Sequence, residues 1–100
     1  MATVYSIQMD FQQARQQAQR LDDIASQLER IAGNELGGTL QELSIGWKGE
    51  NATAYIKKGG ELQNKMGNSV KNLRNIADSI RRIAKRVYDA EMAAINLVQD

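Results

Sequence analysis

Trp47 is the chain's only tryptophan, and it stands between Gly46 and Gly49 near the midpoint of 100 residues. An indole in such a place offers a broad apolar plate and one N–H donor, which suits capping a core or meeting a partner. For reactions the chain is poorly equipped. It has no histidine and no cysteine, so the usual activators of nucleophiles, thiolates and zinc ligands are missing. Carboxylates, lysines and hydroxyls are what is left. No catalytic residue, no metal site and no cofactor is expected, and without cysteine no disulfide framework holds the fold. The chain reads as a binding protein rather than an enzyme.

A second group that could do chemistry is basic. Lys71, Arg74, Arg81, Arg82, Lys85 and Arg86 crowd one stretch, with Asp78 among them. Such a run can serve nucleic acid or an anionic lipid surface. Here it lacks interleaved aromatics for base stacking, the whole chain carries a net charge of only +1, and acids such as Asp22, Asp23 and Glu29 stand to lie opposite. A solvated, charge-paired face is the reading adopted, with no nucleic-acid partner. The segment MATVYSIQMD has neither the basic start nor the apolar run of a cleaved signal, and no stretch nears eighteen apolar residues. Export, if it occurs, is expected without a cleavable signal. Contact with a membrane would require the helices to open and lie in its interface, and the sequence leaves it open.

The elements that must position these residues are helical. Proline is absent, 42% of residues are hydrophobic and 25% charged, as in a folding chain. Ile7, Phe11, Ala14, Ala18, Leu21, Ala25, Leu28 and Ala32 recur in steps of four and three, a heptad seam. Ile24 and Ile31 widen it, and the opposite face is rich in Gln, Arg and Asp. Asp10 with Gln13, or Ser6, is expected to cap its start. Leu36, Leu40 and Leu43 prolong the spacing through Gly33, Gly37 and Gly38, predicting one helix over about 7–44, bent or frayed at the glycines. Residues 45–49 read as a turn. Beyond it Tyr55, Gly59, Leu62, Met66, Ser69, Leu73, Ile76, Ile80, Ile83, Val87, Ala90, Ala94 and Leu97 form a second stripe, predicting a helix over about 50–97. Val70, Ala77 and Ala84 lie beside that stripe, so its apolar face is too wide for one neighbouring helix.

The expected fold is therefore all-α, a single antiparallel helix-turn-helix hairpin with two long helices. Its seam, within the hairpin or between two of them, is expected at Phe11, Leu21, Leu28, Leu62, Met66, Leu73, Ile76, Ile80, Ile83 and Val87. A flat hairpin leaves part of each stripe in water. Each further Leu, Ile or Met covered contributes about 1.5–3 kcal/mol, so two hairpins packed as a four-helix bundle are the expected solution. The competing reading breaks the chain at Gly37-Gly38 and Gly59-Gly60 into a three- or four-helix monomer.

A chain of this length with two helical halves and Trp47-Lys48-Gly49 between them resembles the WXG family of early-secreted-antigen-like proteins. Leu40 and Leu43 before the tripeptide, and Ala52, Tyr55 and Ile56 after it, strengthen the likeness. The resemblance implies a secreted substrate or component of a bacterial type VII (ESX-like) system, exported as a folded homodimer or heterodimer with another WXG-type protein and recognised by the system's membrane ATPase. It also implies that Trp47 and Gly49 form half of an export signal. The family's Tyr-x-x-x-Asp/Glu tail is matched imperfectly, since Met92 stands four places after Tyr88 and Glu91 four after Val87. Val87, Tyr88 and Glu91 are the candidate tail signal, or a partner protein carries it. The alternative role is an escort that pairs with the helical N-terminal domain of a larger secreted effector.

Overall fold

The computed structural model describes residues 3–46 and 49–99, and every one of these except Thr3 and Gly49 is helical. Helix α1 spans Val4–Arg30, a π-helical turn Ile31–Leu36 follows, and α2 spans Gly37–Gly46. Helix α3, Glu50–Gln99, is the other arm. No strand occurs among the described residues, and the fold is a hairpin of two long helical arms. Trp47 and Lys48 lie outside the described residues. Gly37-Gly38 and Gly59-Gly60 are all inside helices, so the chain breaks at neither pair.

Helix α1 begins before the Ser6–Asp10 window that the sequence favoured. Thr3 is the cap: its N–H donates to Ser6 Oγ at 2.9 Å, and the Ser6 N–H donates back to Thr3 Oγ1 at 3.0 Å. This is the reciprocal arrangement of a capping box with serine in the place of glutamate. The Asp10–Gln13 pair is left inside the helix, because an earlier cap already satisfies the orphan N–H groups.

Over Ile31–Leu36, around Gly33, the chain widens into a π turn rather than fraying. The carbonyl of Ala32, inside that turn, accepts a 2.7 Å hydrogen bond from Gln63 Nε2 on the other arm. A widened turn loosens the ordinary i to i+4 ladder, and a side chain from outside compensates the carbonyl.

The chain folds as two compact units, one taking it up to Asp22 and again from Arg74, the other being Asp23–Leu73. In the first, the terminal unit, Phe11 stacks on Tyr88 while Asp22 meets Arg81, so the two arms run antiparallel. In the second, the turn unit, Ala32 meets Gln63 and Leu40 meets Gly59, again antiparallel. At Gly59 a Cβ would fall on the Cδ2 of Leu40 and within 3.1 Å of its Cγ. The absence of a side chain there is what lets the leucine rest on the helix backbone. Gly60 has nothing within 4 Å of a Cβ.

The two neighbouring glycines should thus respond oppositely. Gly59→Ala is expected to destabilise the fold by about 1–2 kcal/mol through overpacking. Gly60→Ala is expected to stabilise it by about 0.5–1 kcal/mol through helix propensity. Urea unfolding of both variants at one protein concentration checks the signs.

Candidate functional site

Among the described residues, alanine holds most of the buried apolar positions. In the terminal unit they are Ile7, Ala18 and Ala77; in the turn unit, Ala25, Ala32, Ala52 and Val70. Most of the larger side chains lie at the flanks, half-buried or exposed. Phe11, Ala14, Leu21, Ile80, Ala84 and Tyr88 are half-buried around the first core, and Leu28, Leu40, Met66 and Leu73 around the second.

On α3 the line facing the other arm therefore runs through Val70 and Ala77, one position round from the stripe read in the sequence. Ile76, Ile83 and Val87 in the terminal unit are 50, 57 and 48% exposed, and Leu62 in the turn unit is 50% exposed. Ile24 and Ile31, the residues that widened the first stripe, are 49 and 40% exposed. Of the expected seam, Phe11, Leu21, Leu28, Met66, Leu73 and Ile80 are half-buried, and Leu62, Ile76, Ile83 and Val87 lie outward. The signal that marks the inner line is the recurrence of alanine every seven residues, at 18, 25 and 32 on one arm and at 77 and 84 on the other.

The two flanks of α3 in the terminal unit differ in kind. At about 100° per residue, Arg74 and Arg81 fall to one side of Ala77, and Ile76, Ile80, Ile83 and Val87 to the other. The polar side is tied to α1. Arg81 donates to Asp22 at 2.6 Å and to Asp78 at 3.2 Å, and Arg74 approaches Asp22 at 3.9 Å. The bond to Asp22 holds the Arg81 guanidinium above its ordinary pKa, opposed by a smaller desolvation and aided by the charges of Asp22 and Asp78. Lys85 pairs with Asp89 at 2.9 Å and Arg82 donates to Ser79 at 3.1 Å. Much of the basic run is thus occupied by side chains of the same chain. The opposite flank holds aliphatic side chains in water.

The candidate tail residues sit in the terminal unit. Tyr88 packs on Phe11 with ring centroids 4.8 Å apart and a 35° tilt, a favourable offset geometry, and the Arg15 guanidinium lies 5.8 Å from the Phe11 centroid. A cleft of about 160 Å³ runs beside this pair, lined in part by Val87, Tyr88 and Glu91. The structure brings these three together in one place with Phe11; Trp47 lies outside the described residues.

Gly49 precedes α3 with φ of +122°, a conformation that side chains strain to adopt. Its carbonyl accepts from the Thr53 N–H at 3.0 Å and from Thr53 Oγ1 at 3.1 Å, which anchors the first turn of α3. A Cβ here would meet nothing within 4 Å among the described residues, so the glycine of the tripeptide answers a backbone demand rather than crowding.

Among the described residues no cluster of His, Cys, Asp or Glu could hold a metal ion, and no helix is long and apolar enough to cross a membrane. A family model, WXG100, described as proteins of 100 residues with WXG, matches residues 6–92. No curated protein and no solved structure matches the chain.

The inner and outer positions of α3 are separable by mutation. Ala77→Leu is expected to cost about 1–3 kcal/mol by forcing the arms apart. The adjacent Ile76→Ala should leave helicity unchanged in dilute solution. Circular dichroism during thermal unfolding of each variant distinguishes the two positions.

Proposed function

This chain belongs to the WXG100 family and is a small type VII secretion-associated protein, and we propose that it acts by pairing its hairpin with another and travelling the secretion route as that pair. The observation that carries the reading is the division of apolar residues: alanines inside, and Ile24, Ile31, Leu62, Ile76, Ile83 and Val87 left in contact with water. Four or more such side chains covered by a partner, at about 1.5–3 kcal/mol each, are enough to offset the entropy of association. The product is a four-helix bundle, the arrangement in which two amphipathic hairpins complete each other's core. Family members typically form dimers with other WXG proteins.

On this reading the chain is a substrate or component of the type VII system, with the membrane ATPase as its receptor. Trp47 and Gly49 supply the turn half of the export signal, and Val87, Tyr88 and Glu91 the tail half. The protein needs no catalytic residue and no cofactor for this. An escort for the helical N-terminal domain of a larger effector would use the same outward flanks, and molar mass separates the two roles. Light scattering of the purified chain at micromolar concentration should give twice the monomer mass, falling to the monomer in Ile76→Ser/Ile83→Ser. A folded wild-type monomer throughout that range would sink the proposal.

The turn is tested separately. Trp47→Ala is expected to abolish export while the melting temperature and the dimer mass stay close to wild type. Equal loss of stability and export would make the indole a cap on the core only.

A further inference from the structure

The cleft beside Phe11 and Tyr88 is apolar over most of its lining, through Ala84, Val87 and the two rings, yet Asp10 and Glu91 also line it. Neither carboxylate makes a hydrogen bond or an ion pair among the described residues. By contrast Asp22, Asp78 and Asp89 all face cations of the chain. Two uncompensated carboxylates on an apolar cleft form a seat for a cationic side chain with a long aliphatic stem. The methylenes lie against the rings and the charge meets the oxygens. The cleft shares Val87 with the outward aliphatic flank, so whatever covers that flank also reaches this seat.

The turn unit carries a matching group. Lys58 stands between Tyr55 and Leu62 at i−3 and i+4, on one helix face, and these two are 62 and 50% exposed. Its own ion pair, to Glu61 at 3.6 Å, leaves the lysine side chain 80% exposed, and a pair of that kind holds it weakly. A base flanked by outward apolar residues is the complement of acids set in an apolar cleft.

We propose that the Asp10–Glu91 cleft receives Lys58 of a second copy of this chain, with Tyr55 and Leu62 of that copy covering the neighbouring flank. In a two-fold pair the contact occurs twice, each copy giving a lysine and taking one. This inference rests on the pairing proposed above and goes beyond it by naming the side chains that meet, Lys58 of one copy with Asp10 and Glu91 of the other.

Dimer dissociation constants from sedimentation equilibrium test it, with helicity followed by circular dichroism for each protein. Glu91→Lys and Lys58→Glu are each expected to weaken self-association at least about tenfold, and their combination in one chain to recover most of the loss. The milder Asp10→Asn/Glu91→Gln, which preserves shape, should weaken it less and flatten its salt dependence. A wild-type dimer indifferent to all of these changes overturns the seat while leaving the pairing intact. Weakening by both single reversals without recovery in the double variant places the cleft in the interface and overturns Lys58 as its occupant. A wild-type chain that is monomeric overturns the pairing itself.

Discussion

Alanine at the centre of a helix contact brings two backbones close but removes little apolar surface from water. A buried methylene is worth about 0.8 kcal/mol, and a buried leucine or isoleucine about 1.5–3 kcal/mol. In both units of this hairpin the fully enclosed positions fall mostly to alanine, and most of the large aliphatics are half-buried or exposed. Alanine thus occupies the inner line of each helix pair, while much of the apolar surface available for burial is left on the flanks. The rest follows from this constraint. It accounts for the glycine at position 59 opposite Leu40, and for the apolar surface that a fold without proline or cysteine still has to offer.

The polar flank of the terminal unit joins the two arms through charge pairs. Arg81 bridges Asp22 on the other arm and Asp78 on its own, with Arg74 nearby. Partly exposed pairs of this kind contribute little net stability. Their consequence is directional: they keep the charged side chains of α1 and α3 together and away from the aliphatic side. Within the basic run, Arg74, Arg81 and Lys85 face carboxylates of the same chain.

Two backbone adjustments place the arms. At Gly49 a φ of +122° precedes the first turn of α3, whose Thr53 binds the glycine carbonyl twice. At Ile31–Leu36 the helix widens, and Gln63 reaches across to the Ala32 carbonyl. Both occur where glycine is present, and at both a side chain, Thr53 or Gln63, donates to a backbone carbonyl.

Helical character, the presence of two arms, the family and the poverty of catalytic groups were all legible in the residues alone, since periodicity, composition and the Trp47-Lys48-Gly49 pattern are local properties. Which of two adjacent positions faces inward was not. Ile76 and Ala77 both belong to seven-residue repeats, and the periodicity of a single helix serves either equally. Only packing against the second arm decides: Ala77 is enclosed and Ile76 is half exposed. The meeting of Asp22 with Arg81 and of Leu40 with Gly59 is likewise a matter of register between arms, set by packing across a gap in sequence that no local pattern spans.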